Sequence, residues 1–299
     1  MAVNLTMGDN ARMVGNVQAM HEACRIADVP LLVHMSSAEV FGRAEVPNLQ
    51  DDSVPASRHW MEYGRAKAAA ESWLRTQSNG PVKVVILRPG LIWGPGSGWL
   101  VQPAQSLIDG TAYLFNEGRG ICNLIHVDNL IQHLEQLARA DEVGSAVFNV
   151  SDSETMSWRD YYTAIAREIG VEASNIKLLP ESSFREGISQ RIIGLTQLPP
   201  ARALKRRLTD QTKVRIKQRL TDRIRPPIRE AQPVEAVPSI TKSLWWLQGT
   251  AQKLPSQAFR QHYPQTRLQP FPELIAGAGE WLRWAGFEAS AGGPGASPR

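Results

Sequence analysis

Cysteine is scarce: Cys24 and Cys122 are the only two in 299 residues. No disulfide framework is implied, and a reducing compartment suits the chain. No uninterrupted apolar run approaches the ~20 residues that span a bilayer. The opening Met-Ala-Val-Asn-Leu-Thr lacks the basic and apolar regions of a secretory signal. A cytoplasmic location is therefore expected. There is no internal repeat. His126 and Asp128 have no further His, Cys or Asp at metal-ligand spacing, so no metal is expected. The formal net charge is small, +4, but unevenly spread.

What is present alternates. Met13 to Ala27 has helical spacing, with Val14, Val17, Met20 and Ala23 or Cys24 able to share a face. Pro30 to Met35 is a short apolar run ending at Ser36-Ser37, read as a buried parallel strand. Tyr63 to Gln77 reads as a helix, stopped by Asn79-Gly80-Pro81. Val82 to Leu87 is a second strand and Ala146 to Val150 a third, with a helix predicted over Val127 to Arg139. Ser157 and Asp160 have capping-box spacing before a helix that Gly170 ends. This order predicts an α/β fold, a doubly wound parallel sheet followed by a smaller, mainly helical C-terminal region. Trp245, Trp246, Trp281 and Trp284 are expected to anchor that region, and the Gly/Pro-rich end, 291–299, to be disordered.

Three features carry chemistry. Tyr63 and Lys67 are four residues apart on a predicted helix, which puts them on one face. A nearby ammonium favours a phenolate, so Lys67 is expected to lower the Tyr63 pKa and fit it for proton transfer at a hydroxyl. Ser37 follows a strand, where sites of open α/β sheets collect, and can bond the same substrate oxygen. Arg88-Pro89-Gly90 closes the next strand with a turn that lets the backbone approach a flat ligand. Each signal alone has a bland reading; their order makes the combination specific.

The segments Ser36-Ser37-Ala38-Glu39-Val40-Phe41-Gly42, Tyr63-Gly64-Arg65-Ala66-Lys67 and Arg88-Pro89-Gly90-Leu91-Ile92-Trp93-Gly94-Pro95 resemble motifs of the extended short-chain dehydrogenase/reductase family, the NAD-dependent epimerases and dehydratases. Ile125-His126-Val127-Asp128-Asn129-Leu130 and Ala146 to Val150 with Ser157-Trp158 extend the resemblance to about Gly170. It implies a Rossmann-like catalytic domain over 1–170, a substrate-side region over 171–290, and a redox step on a secondary alcohol with NAD or NADP. Ser37, Tyr63 and Lys67 would be catalytic. Ser36, Tyr63, Lys67, Pro89, Gly90, Leu91 and Ile92 would face the cofactor, and Ser37 and Glu39 the substrate, with a nucleotide sugar as the implied substrate. Homodimerisation through the Tyr63 helix is a further implication.

The departures matter as much. The family's Gly-x-x-Gly-x-x-Gly phosphate turn has no counterpart here. The expectation is thus a sheet lacking its first βαβ unit, an N-terminally truncated chain short of roughly sixty residues. Asp128-Asn129 resembles the 3β-hydroxysteroid dehydrogenase and dihydroflavonol reductase branches, an alternative to the epimerases; a non-catalytic scaffold is the third reading. Glu39 resembles a proton-abstracting dehydratase glutamate, or is a solvated loop carboxylate. His34 is read as a satisfied core histidine. Eleven Lys or Arg stand against Asp210 and Asp222 within Ala201–Arg229, on a basic amphipathic pattern. A solvated helix, docking to an anionic membrane surface, and phosphate binding all remain open for 201–229; no nucleic-acid motif accompanies it.

Overall fold

A computed structural model describes residues 1–6, 9–42, 46, 48–56, 59, 61–180 and 241–288. The basic stretch 201–229 and the tail 291–299 lie outside the described residues.

Four strands form one parallel sheet: β1 (Ala2–Asn4), β2 (Leu31–Met35), β3 (Lys83–Pro89) and, at the far edge, β7 (Ala146–Val150). Asn4 lies opposite His34, His34 opposite Ile86, and Arg88 opposite Asn149. All five residues of β2 are buried, which is why this strand reads as a continuous apolar run. On one face, Leu32, Val84 and Ile86 pack under α1 (Met13–Ile26) and α2 (Glu62–Arg75). On the other, Val33, Val85, Leu87 and Phe148 pack against α4 (Val127–Arg139) and α7 (Gln257–His262), through Leu130, Leu137 and Phe259. The sheet is thus covered by helices on both sides, the Rossmann-like arrangement expected. Each fully buried Leu or Val contributes about 1.5–3 kcal/mol relative to exposure.

The buried face of α1 is Met13, Val17, His21 and Cys24, a rotation from the expected Val14-Val17-Met20 stripe. The imidazole of His21 is what the pattern missed; it turns inward, edge-on to Trp73 at 5.5 Å between ring centres. The α2 helix starts at Glu62, and α4 and β7 span the expected residues.

Beyond the carboxyl ends of the strands sits a second core. It joins α3 (Gly98–Ile108), α5 (Trp158–Glu168) and α8 (Phe271–Trp284) around Trp93, Trp158 and Tyr161. Two short parallel pairs flank it: β4 (Leu91–Trp93) with β6 (Leu124–His126), and β5 (Tyr113–Phe115) with β8 (Lys177–Leu179). The Ser157–Asp160 capping box forms in both directions. Trp281 packs on this core, whereas Trp284 is 82% exposed and anchors nothing. The short α6 (Lys242–Gln248) leads into a strap, 249–254, whose backbone and side chains bond to loops of the first half.

Candidate active site

Polar side chains of α2 reach the carboxyl ends of three strands at intervals of four residues. Tyr63, near the helix start, neighbours the Ser37 hydroxyl, which favours its phenolate form. Lys67, one turn on, donates from Nζ to the Met35 carbonyl at 2.7 Å and the Thr6 carbonyl at 3.4 Å. Glu71, another turn on, accepts from the Ser36 hydroxyl at 3.0 Å and pairs with the buried Arg88 guanidinium. Arg88 in turn donates to the Asp51 and Ser53 carbonyls and lies 4.6 Å above the Phe41 ring. Position and chemistry share a cause: helical periodicity turns i, i+4 and i+8 to one side.

Gly64 makes the first of these contacts possible. A Cβ there would stand 2.8 Å from the Glu39 carbonyl oxygen, so a side chain would push α2 off the Ser37–Phe41 turn. Ser37 itself is extended and accepts from the Glu39 amide at 3.2 Å, which fixes its hydroxyl at the strand end.

The electrostatics differ from the expectation at Tyr63. Burial pushes its phenol above the ordinary value; the nearby Ser37 hydroxyl pulls it down, and the Glu39 carboxylate pushes it up again. Lys67, 5.9 Å from the ring centre, does not offset this. Burial lowers Lys67 itself to about 8 and raises Glu39. His34 is buried as expected, but neither ring nitrogen has a hydrogen-bond partner among the described residues. Burial first, then the Lys67 ammonium, holds it near 3 and therefore neutral.

Ser37, Glu39, Pro89, Gly90 and Leu91 line a cavity of about 110 Å³. The opposite wall comes from Trp158, Leu247 and the strap. Tyr63 connects to it through Ser37, with Lys67 buried behind. Four of the seven predicted cofactor-facing residues are not in the cavity lining: Tyr63 and Lys67, and with them Ser36, whose hydroxyl is turned to Glu71, and Ile92, which pairs with Ile125 and packs on the sheet core. Gly90 is a close approach to protein, since a Cβ there would meet the Asn123 carbonyl oxygen at 2.2 Å.

The strap is held by side-chain amides that the sequence reading did not single out. Asn123 donates to the Gln252 carbonyl at 3.0 Å and accepts from the Leu254 amide at 2.8 Å. Gln252 bonds both ways to Val46, at 3.1 and 2.7 Å. Asn129 and Gln269 do likewise at 3.1 and 2.8 Å, and Asn129 also donates to buried Asp152 at 2.7 Å. Asn129 is therefore a structural tie in this fold. Burial raises Cys122 well above the thiol range, which makes it a poor nucleophile.

Residues 4–151 match the model of the NAD dependent epimerase/dehydratase family. A 2-alkyl-3-oxoalkanoate reductase of Stenotrophomonas maltophilia (strain K279a) is 28% identical over 198 residues, 63% of this chain and 60% of that protein. Short-chain dehydrogenase/reductase family 42E member 1 of Macaca fascicularis is 25% identical over 183 residues, 55% of this chain and 47% of that protein. This chain thus spans between about half and three-fifths of these curated relatives. Among solved structures, dTDP-glucose 4,6-dehydratase from Bacillus anthracis str. Ames, in complex with NAD, superposes with a TM-score of 0.60 at 12% identity. That match covers 94% of this chain and 72% of that one. Motifs, sheet order and matched segment agree: this chain belongs to the NAD dependent epimerase/dehydratase family of the short-chain dehydrogenases/reductases.

Proposed function

We propose that this chain carries the catalytic half of an NAD(P)-dependent oxidoreductase that reduces a ketone, or oxidises the matching secondary alcohol, with largely apolar substituents. The observation that carries this reading is the placement of Tyr63 beside the Ser37 hydroxyl, with the Lys67 ammonium buried one helical turn behind. Tyr63 gives its proton to the substrate oxygen in reduction and takes it back in oxidation. Ser37 holds the same oxygen in line with the phenol. Lys67 keeps positive charge near a transient phenolate and has a further N–H, beyond its two carbonyl bonds, for a ribose hydroxyl.

NAD(P), when bound, supplies or takes up the hydride. In this reading Lys67, Tyr63 and the Pro89–Leu91 turn would hold its nicotinamide-ribose end; what supports it is that Lys67 bonds the Met35 carbonyl, and Met35 pairs with Leu87 just before that turn. Below about pH 8 the pair is an ammonium and a neutral phenol, the state that donates a proton to a ketone.

The cavity lining supports the choice of substrate class. Among the described residues it contains no Lys, Arg or His, and Glu39 is its one carboxylate. A diphosphate would need cations or a bidentate guanidinium there. The 2-alkyl-3-oxoalkanoate reductase relative is named for a keto substrate with an alkyl branch. The nucleotide-sugar reading rests on Glu39 beside Ser37, placed to remove a proton next to a carbonyl, and on fold similarity to a sugar dehydratase. Supplying the protein with NADPH or NADH and a medium-chain methyl ketone separates the two. Stoichiometric loss of reduced cofactor supports our reading. Conversion of UDP- or dTDP-glucose without net cofactor consumption, and no ketone reduction, contradicts it.

A further inference from the structure

Trp158 lines the 110 Å³ cavity. A second cavity of about 330 Å³ is lined by Trp99, Ala112 and Leu244 and, on its polar side, by Gln102, Thr111 and Ser243 among others. Trp158 and Tyr162 are one turn apart on α5, their ring centres 6.3 Å apart, and the Trp99 and Trp158 rings are 6.2 Å apart. Leu247 borders the first cavity and Leu244, one turn back on α6, the second. Trp158 and Leu247 of the first cavity are thus each next to residues that line the second. Trp158 is 1% exposed, and its indole N–H donates to the Leu247 carbonyl at 3.1 Å. That bond ties α5 to α6 and fixes the ring as a partition.

Both cavities are free of cationic side chains among the described residues, and the second has no ionisable group but Tyr113 and Tyr162. We propose that Trp158 is the specificity-determining residue that limits how long an apolar substituent the site accepts, by closing the first cavity off from the second. This inference rests on the ketone-reductase reading of the site. Trp158 does not touch the reacting oxygen; it determines what fits beside it.

The test uses methyl ketones from 2-butanone to 2-dodecanone as probes, bound to the full chain and followed by ligand-observed NMR. Each buried methylene contributes ~0.8 kcal/mol, about fourfold in affinity. In the wild type, affinity should climb about fourfold per carbon and then stop at a definite length. In Trp158→Leu the climb should continue over several more carbons. Leu247→Ala, which thins the same wall from its partly exposed side, should also move the break to longer chains and guards against misfolding of the first variant. Adding Ser106→Phe to Trp158→Leu, to fill the second cavity, should bring the break back. A break that stays at the same length in folded Trp158→Leu and Leu247→Ala overturns the inference alone, as does a wild-type climb with no break. Absence of binding by every ketone to the wild type overturns the site reading and this inference with it.

Discussion

At the scale of single residues, burial controls the protonation of the site. It moves Tyr63 up and Lys67 down to about 8, and Glu39, also raised, acts on Tyr63 through its charge. The sign for a Glu39→Gln change follows. A carboxylate beside a phenol opposes phenolate formation, so its removal lowers the Tyr63 pKa. Oxidation of an alcohol needs the phenolate, and its rate rises with pH through that pKa. Glu39→Gln should therefore move the rise in kcat/KM for alcohol oxidation to lower pH. A pH profile that moves to higher pH is incompatible with this electrostatic account.

At the scale of elements, α2 is fastened to the sheet by a buried ion pair. Glu71 and Arg88 are both fully buried, and Arg75 adds a partly exposed contact at 3.1 Å. A buried pair adds little net stability, but losing one partner strands the other charge, at about 3–5 kcal/mol. Glu71→Ala should thus destabilise the fold by that amount in urea unfolding and loosen the helix that presents Tyr63 and Lys67. A loss below about 1 kcal/mol would mean that water reaches Arg88. This clamp was illegible in the sequence. Ser36, Glu71 and Arg88 lie up to 52 positions apart (88 minus 36), and nothing local marks them as partners. Ser36 looked like a site residue because its neighbour Ser37 is one, yet alternation along extended chain sends the two hydroxyls to different places. By contrast, β2, β3 and β7 were readable because burial on both faces leaves continuous apolar runs. The three-residue strands β4, β5, β6 and β8 are too short to carry a period.

At the scale of the whole molecule, a sheet covered on both faces ends in a polar row, and a second core lies across it, tied on by Asn123, Asn129, Gln248 and Gln252. Gln248 shows how close this docking is. It is fully buried and accepts from the Phe115 amide at 2.8 Å, while a Cβ on Gly120 would overlap its carbonyl. The groups we propose as catalytic are placed by the sheet and α2, and the far wall of the cavity is shaped by the second core. Sequence motifs located the former because each sits within a few residues of a strand or helix end. They did not locate the far wall of the cavity, because Trp158 and the strap that form it lie 95 or more residues from Tyr63. The same separation explains the misjudged Tyr63 pKa: the Lys67 spacing was visible, the burial that outweighs it was not.

The account stands on proton transfer by Tyr63. The direct test is the rate of deuteride transfer from 4-deuterated NADPH to a methyl ketone, compared between wild type and Tyr63→Phe by mass spectrometry. Loss of the hydroxyl should slow label transfer by about 10²-fold or more while leaving the melting temperature in place. Label transfer at an unchanged rate in the folded Phe variant would contradict the assignment.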